Sequence, residues 1–302
     1  MGQLIADGQL RVGLIGAGPW ATTVHAPGLA DHPGTTLTAV WGRRPEAAQA
    51  LAETHCATAT ESVEELFAQV DAVAFAVPPS VQAELGVRAA EAGKHLILEK
   101  PIAADLDGAR RLADAVAAAD VTALVMLTLR YSAQTQEWLA DLAQAGGWAG
   151  GGARWLSGAL LGGQYAASEW RQDDGGALFD VGPHALDVLD AALGPITEVV
   201  AARRSPGDLW HLMLAHDGGV ISTATLALRL PVQPTVVEVA VWGEHGYRTL
   251  GRKTGSAQAS YTALLDDFAA MIASGATTHP CDVRRGLHLQ VLLEQARELA
   301  AK

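Results

Sequence analysis

The first 127 residues alternate between short apolar runs and alanine-rich segments long enough to form helices. The apolar runs cover residues 11–16, 36–42, 72–77, 95–100 and 121–129, and the helical candidates cover residues 19–31, 45–55, 80–92 and 105–119. This alternation predicts a parallel, doubly wound sheet, because parallel strands need long crossover connections. Ligands of such sheets bind beyond the carboxyl ends of the strands. The residues that follow each apolar run are therefore the first candidates for a functional site.

Beyond residue 130 the pattern changes to consecutive strands, which predicts an α+β domain on a mostly antiparallel open sheet. Strand-like runs cover residues 196–203, 208–214, 219–228, 236–243 and 246–250, and helices are expected at 131–145, within 170–193, and at 259–274 and 284–300. The glycine-rich stretch at 145–153 is expected to be a flexible loop inside this domain and not a linker. We place one boundary between the domains, giving residues 1–124 and 125–302.

Charge and cysteine content argue against several classes of protein. A net charge of −12 and a pI near 5.2 oppose nucleic-acid binding, which relies on dense Lys and Arg. Cys56 and Cys281 are the only cysteines and have no metal-ligand spacing, so we expect neither a disulfide scaffold nor a metal site. There is no targeting signal, and each apolar run is shorter than the roughly 20 residues that span a bilayer. We expect a cytoplasmic protein with no nucleic-acid or membrane partner.

The stretch "GLIGAGPWA", residues 13–21, has the G-x-G-x-x-A spacing of a dinucleotide-binding turn. Gly16 permits a tight turn, Gly18 lets a pyrophosphate approach the backbone, and Ala21 allows close helix packing. The helix that follows presents N–H groups to anionic oxygens. The alternative is a glycine-rich turn in an unrelated α/β protein, but a strand before the motif and a helix after it favour dinucleotide binding.

The end of the second predicted strand bears on the choice between NAD and NADP. An acid at this point usually holds the ribose 2′-hydroxyl of NAD, but the sequence reads "AVWGRRPE". Gly42 offers no carboxylate, and Arg43 and Arg44 can donate to a 2′-phosphate. We therefore expect NADP in preference to NAD, and the alternative is that these arginines only solvate a loop.

Two further motifs carry groups suited to proton transfer. The apolar run in "HLILEKPIA" ends in Glu99, Lys100 and Pro101, either as a simple strand terminator or as a site at the end of a parallel strand. In "GGALFDVGPHALD", Asp180 and His184 are four residues apart and would share one side of a helix, with Asp187 one turn further on. The alternatives are that Asp180 caps the helix, which Pro183 disfavours, and that His184 is a core histidine.

The order and spacing of these motifs resemble the Gfo/Idh/MocA family of NAD(P)-dependent oxidoreductases, and the resemblance covers essentially the whole chain. It implies a Rossmann dinucleotide-binding domain at 1–124 and a domain for substrate binding and oligomerisation at 125–302. The implied cofactor contacts are Gly16, Gly18, Pro19, Trp20, Ala21, Gly42, Arg43, Arg44, Pro78, Glu99 and Lys100.

The resemblance also implies catalytic roles for Lys100, Asp180 and His184. His184 would accept the hydroxyl proton during oxidation, Asp180 would orient it, and Lys100 would polarise the substrate oxygen. The implied substrate is a small polyhydroxylated molecule such as a sugar or cyclitol. Its candidate contacts are Lys100, Arg130, Tyr131, Trp170, Arg171 and His184. For Arg130, Tyr131, Trp170 and Arg171, the alternative is that the side chain only packs in the core or is solvated at the surface.

Two features of the sequence depart from the family pattern and leave the substrate open. Gln82 stands where the family often has a histidine, and the loop between "EWRQ" and "GGALFD" is short. A protein of this fold could also be a non-enzymatic NAD(P)-binding regulator that senses sugar or redox state. The three proton-transfer residues favour an enzyme. An exposed face of the second sheet, together with the resemblance, predicts a homo-oligomer, either a dimer or a tetramer.

Overall fold

The computed structural model describes residues 8–162, 165–166, 168–172, 175–251 and 255–302. The chain forms two compact units, one made of residues up to Met126 with Ser256–Leu287, the other of Leu127–Gly255 with His288–Lys302. In the described part of the chain, no helix is both long enough and apolar enough to cross a membrane.

The described residues of the first unit form a sheet of six parallel strands. They are β1 (Leu10–Ile15), β2 (Thr35–Trp41), β3 (Thr58–Ala59), β4 (Ala72–Phe75), β5 (His95–Leu98) and β6 (Ala123–Val125). The strand order is β3-β2-β1-β4-β5-β6, so the direction of winding reverses between β1 and β4. All four residues of β4 are fully buried, as expected for a strand covered on both faces. The predicted doubly wound parallel sheet is confirmed.

Helices connect these strands. A π-helical turn (Ala21–His25) leads into α1 (Ala26–Asp31), and it is followed by α2 (Pro45–Thr54), α3 (Val63–Gln69), α4 (Pro79–Glu91) and α5 (Leu106–Ala119). The short elements β3 and α3 were not predicted. A sequence signal for α3 was nevertheless present, because Ser62 accepts a hydrogen bond from the Glu65 backbone N–H and Glu65 accepts one from the Glu61 N–H. The Ser-x-x-Glu spacing is that of a capping box, with the Glu65 carboxylate accepting from the N–H one residue before the N-cap.

The second unit contains a six-stranded mixed sheet. Its elements are α6 (Ala133–Ala145), β7 (Trp148–Leu156), α7 (Glu169–Gln172), α8 (Gly176–Leu193), β8 (Ile196–Ser205), β9 (Leu209–His216), β10 (Ile221–Ala227), β11 (Val236–Gly243) and β12 (Gly246–Leu250). The strand order is β12-β11-β7-β10-β9-β8, and among these described strands only β7 and β10 pair in parallel. The prediction of a mostly antiparallel sheet is confirmed.

The glycine-rich stretch at 145–153 was wrongly predicted to be a flexible loop, because most of it lies in β7. This strand pairs with β10 on one side and β11 on the other. A Cβ added to Gly150 would lie 2.7 Å from the Trp242 indole nitrogen, and one added to Gly151 would lie 2.9 Å from the Ala240 carbonyl oxygen. The glycines are therefore places of close packing within a strand.

Two helices close the chain, α9 (Ala257–Ser274) and α10 (Val283–Ala300). The compact units differ here from the predicted domains, since Ser256–Leu287 belongs to the first unit and not to the second. The reason is packing on the first helical segment: the Tyr261 ring in α9 lies 4.6 Å from the His25 ring. A single boundary at residue 124 could not describe a chain that returns to its first unit.

Candidate active site

The glycine turn after β1 has the geometry that a dinucleotide requires. Gly16 has a φ of +122°, and a Cβ at this residue would lie 2.3 Å from the Ala76 carbonyl oxygen. Its backbone N–H donates to the Trp41 carbonyl at 2.8 Å, which joins the turn to β2. A Cβ on Gly18 would have no described heavy atom within 4 Å, so the backbone there is open to a ligand. The turn and the helix that follows it fit a pyrophosphate.

The end of β2 carries two exposed arginines next to this turn. A Cβ on Gly42 would lie 3.6 Å from the Ala17 Cβ, which is an ordinary van der Waals contact. The backbone therefore has room for a side chain at this position. Within the described ranges, neither Arg43 nor Arg44 forms a side-chain hydrogen bond or ion pair. Both guanidinium groups are available to a ligand.

The turn formed by residues 99–102 follows β5, and its backbone is held by Gln82 of α4. Gln82 is fully buried, and its Oε1 accepts a hydrogen bond from the Glu99 N–H at 2.8 Å. Its Nε2 donates to the carbonyls of Glu99, Pro101 and Ile102 at 2.7, 3.3 and 3.2 Å. Pro78, which was predicted to contact the cofactor, is half-buried and directly precedes α4.

The Glu99 carboxylate is held by two side chains from the segment after the glycine turn. Trp20 Nε1 donates to Glu99 Oε1 at 2.6 Å, and His25 Nε2 lies 2.9 Å from the same oxygen. Burial raises the pKa of the Tyr261 phenol well above its ordinary value, and the charge of Glu99 raises it further. Tyr261 therefore stays protonated beside His25. The contact of His25 was missed because no local motif marks it.

In the second unit, Asp180 and His184 lie on α8 as predicted, but Asp180 does not cap the helix. The N-cap is Gly175, and Asp208 accepts a hydrogen bond from the Ala177 N–H at 2.8 Å. Asp180 lies past the first turn and accepts from Arg171 Nε at 2.9 Å. The capping alternative for Asp180 is therefore wrong.

Arg171 is oriented toward Asp180 by its other neighbours. Its guanidinium carbon lies 4.2 Å from the centre of the Trp170 ring and 4.9 Å from that of Tyr165. Its NH1 donates to Ser168 Oγ at 3.2 Å. Stacking on two rings and an ion pair hold the Arg171 side chain in one orientation.

His184 is 6% exposed and stacks on Trp155 of β7, with ring centres 5.6 Å apart and planes at 23°. This contact fixes the plane of the imidazole. Trp155 was not predicted from the sequence, because the glycine-rich stretch before it was taken for a loop.

Asp187 is separate from the Asp180–Arg171 pair and is buried in an ion pair with Arg130. The Arg130 NH1 lies 3.3 and 3.4 Å from the two Asp187 carboxylate oxygens. Their side chains are 11% and 1% exposed. Tyr131, the neighbouring residue, is also buried, at 5% exposure. Among the residues that the structure describes, no group of His, Cys, Asp and Glu is arranged to hold a metal ion.

The glycine turn, the basic end of β2 and the Glu99–Lys100–Pro101 turn define a Rossmann domain of the nicotinamide-dependent oxidoreductase class. Residues 10–127 match the family model for the NAD-binding Rossmann fold of the Gfo/Idh/MocA oxidoreductases, and residues 149–248 match the model for the C-terminal domain of the same family. The chain belongs to the Gfo/Idh/MocA family, and it is an NAD(P)-dependent oxidoreductase.

Three known proteins illustrate the similarity. A dTDP-3,4-didehydro-2,6-dideoxy-alpha-D-glucose 3-reductase from Streptomyces violaceoruber is 33% identical over 255 residues, which is 82% of this chain and 70% of that protein. The WlbA dehydrogenase from Bordetella pertussis, solved with NADH and UDP-GlcNAcA, and a myo-inositol dehydrogenase from Corynebacterium glutamicum have the same fold. Each has a TM-score of 0.84 and 22% identity, over 97% of both chains.

Proposed function

We propose that this protein transfers a hydride between NADP and a carbinol or carbonyl of a sugar, a cyclitol or a related polyhydroxylated molecule. The observation that carries the proposal is the Glu99–Lys100–Pro101 turn, which follows β5 in the same sheet as the glycine turn. The sugar reductase and the inositol dehydrogenase described above support this substrate class. We further propose a cytoplasmic location, since Cys56 and Cys281 are both free thiols.

Each proposed catalytic residue has one role in this reaction. The nicotinamide, when bound, supplies or accepts the hydride. The Lys100 ammonium binds and polarises the substrate oxygen. His184 accepts the hydroxyl proton in oxidation and returns it in reduction, and its ring plane is fixed by Trp155. Asp180, four residues before His184 on α8, orients the imidazole and stabilises its charged form.

Arg171 and Trp170 support Asp180 within the second unit. Arg171 forms an ion pair with Asp180 while its guanidinium stacks on Trp170. We propose that this ion pair orients the Asp180 carboxylate. Arg130 and Tyr131 stay proposed substrate contacts.

A substrate screen tests the proposed activity. The purified protein would be mixed with sugars, nucleotide-linked sugars, cyclitols and their keto forms, with NADP(H) and NAD(H) in parallel, while the absorbance of reduced nicotinamide is followed. We expect turnover with at least one polyhydroxylated substrate and higher kcat/KM with NADP(H). Turnover confined to substrates without vicinal hydroxyls would contradict the substrate class.

The preference for NADP is tested by removing the two arginines after β2. Charge-assisted hydrogen bonds contribute about 1.5–3 kcal/mol each, so the double variant Arg43→Ala/Arg44→Ala should weaken NADP binding about tenfold or more. NAD binding should change less than about twofold, because NAD has no 2′-phosphate. The variant Gly42→Asp should raise NAD affinity by supplying a partner for the ribose 2′-hydroxyl. Isothermal titration calorimetry would measure both cofactors.

The matched control is Arg110→Ala/Arg111→Ala, an exposed arginine pair on α5 in the same unit. It removes the same charge, so a general electrostatic effect would lower NADP affinity in both double variants. Tighter binding of NAD than NADP by the wild-type protein would contradict the proposed preference.

We also propose a homo-oligomer, either a dimer or a tetramer, formed through the sheet of the second unit. Tyr247, Trp242, Gly150 and Ile221 are directly paired across four neighbouring strands. The three side chains in this row are 55%, 43% and 42% exposed. Exposed apolar area of this kind on a sheet face supports an interface.

The oligomer is tested with the double variant Ile221→Glu/Tyr247→Glu. Two charges on the paired row should shift the protein from oligomer to monomer in multi-angle light scattering, because unpaired charges are costly to bury in an interface. Leu161→Glu is the control, since Leu161 is 59% exposed and lies outside the sheet. A monomeric wild-type protein would overturn this proposal.

A further inference from the structure

We propose that Gln82 is a positioning residue for Lys100. The inference rests on the proposed function, because it takes Lys100 to be the group that binds and polarises the substrate oxygen. Gln82 does not itself act on the substrate. It holds the backbone on both sides of Lys100 and so sets where the lysine side chain begins.

The Lys100 turn cannot be held by the sheet that precedes it. β5 ends at Leu98, and Pro101 has no N–H to donate to a neighbouring strand. Backbone N–H and C=O groups of a part-buried turn still need partners. Gln82 supplies them with one side chain, since its oxygen accepts from the Glu99 N–H and its nitrogen donates to three carbonyls, those of Glu99, Pro101 and Ile102.

The contacts of Gln82 flank Lys100 in sequence. Glu99, the residue before Lys100, is bound at both its N–H and its C=O, and Pro101, the residue after it, is bound at its C=O. The amide is 0% exposed, so water does not compete for these hydrogen bonds. An apolar side chain of the same length would fill the space but make none of them.

Glu99 provides a second attachment for the same turn. Its carboxylate accepts from Trp20 Nε1 and lies within hydrogen-bonding distance of His25 Nε2. Trp20 lies directly before the π-helical turn that follows the glycine turn. The residue before Lys100 is therefore fixed through its main chain by α4 and through its side chain by the segment that begins at the cofactor turn.

The test is the variant Gln82→Met, which keeps the length of the side chain and removes both hydrogen-bonding groups. A misplaced catalytic group costs up to about 100-fold in rate, so we expect kcat to fall about 10- to 100-fold. The KM for the cofactor should stay within about twofold of the wild-type value, because the glycine turn is unchanged. The control is Gln290→Met, which replaces a glutamine that is 1% exposed in the second unit and should leave kcat unchanged.

A double-mutant cycle with Lys100→Met separates positioning from a general structural role. If Gln82 acts through Lys100, Gln82→Met should cause little further loss of kcat once Lys100 is methionine. An equal loss with and without Lys100 would overturn the positioning role. A wild-type rate in Lys100→Met alone would instead refute the catalytic role of Lys100 in the proposed function, so the two failures are distinguishable.

A second variant keeps the inference testable if Gln82→Met does not fold. Trp20→Phe removes the N–H that binds Glu99 while keeping an aromatic ring, and it should lower kcat by a smaller factor, with the loss again absent in the Lys100→Met background. Trp148→Phe is the control, since Trp148 also donates its indole N–H, to the Leu142 carbonyl in the second unit. If both tryptophan variants were as active as the wild-type protein, this would contradict the inference that contacts to Glu99 position the turn at Lys100.

Discussion

Replacing Lys100 with methionine should lower kcat by about 100-fold or more, the factor typical of a lost proton-transfer or polarising group. The melting temperature and the affinity for NADP should stay close to the wild-type values. We expect the glycine turn at Gly16 and Gly18 to be the main anchor of the cofactor, because a turn of this kind binds pyrophosphate and not the nicotinamide ring. Steady-state kinetics and calorimetric titration with NADP would measure the two effects separately.

The control for this variant is Lys94→Met. Lys94 directly precedes β5 at its other end and donates to the Val70 carbonyl at 2.9 Å, so it tests loss of a lysine in the same unit. His184→Asn should lower kcat by a similar factor. Its control is His288→Asn, which replaces another histidine of the second unit. Near-wild-type turnover in both Lys100→Met and His184→Asn would refute the catalytic assignment.

The second large effect is expected at Gly16. The variant Gly16→Ala should lower the free energy of unfolding by about 2–5 kcal/mol, combining the cost of a positive φ with that of overpacking. The overlap is with backbone, since the new Cβ would lie 2.3 Å from the Ala76 carbonyl oxygen. Cofactor binding should be lost with the turn. Chemical denaturation and calorimetric titration would measure these two losses.

Two other glycines serve as controls for this prediction. Gly93 has a φ of +71°, and a Cβ added there would meet open space among the described residues, so Gly93→Ala measures the backbone cost without a clash. Gly18→Ala should leave the free energy of unfolding nearly unchanged but weaken NADP binding at least about tenfold, or 1.4 kcal/mol. Equal stability of Gly16→Ala and Gly93→Ala would contradict the steric argument, and unchanged binding by Gly18→Ala would contradict the cofactor site.

Strong patterns made most of the fold predictable. Buried parallel strands read as continuous apolar runs, which is why β1, β4 and β5 were located from sequence. The element α3 was missed because it spans only seven residues, although Ser62 and Glu65 have the spacing typical of a helix N-terminus. The strand β7 was missed because glycine-rich sequence suggests a flexible loop. In the structure, Gly150 leaves room for the side chain of Trp242, some 90 residues further along the chain. Local sequence does not contain that information.

The candidate site was predictable to the extent that its residues lie in local motifs. Gly16, Lys100 and His184 were selected because each belongs to a pattern of fixed spacing. The contacts of Gln82 and His25 could not be foreseen, because their partner Glu99 lies 17 and 74 residues away. In the sequence, Gln82 stands out only as a departure from the family pattern. In the structure, its side-chain amide donates hydrogen bonds to the carbonyls of Glu99, Pro101 and Ile102.

The most direct test of the proposed reaction is to follow the hydrogen that is transferred. A substrate found in the screen would be prepared with deuterium on the carbinol carbon and oxidised by the wild-type protein, and the reduced cofactor would be analysed by mass spectrometry and NMR. Direct hydride transfer predicts that the deuterium appears at C4 of the nicotinamide. Reduced cofactor without deuterium would contradict direct transfer from the carbinol carbon, and the absence of turnover with every substrate would favour an NAD(P)-binding regulator.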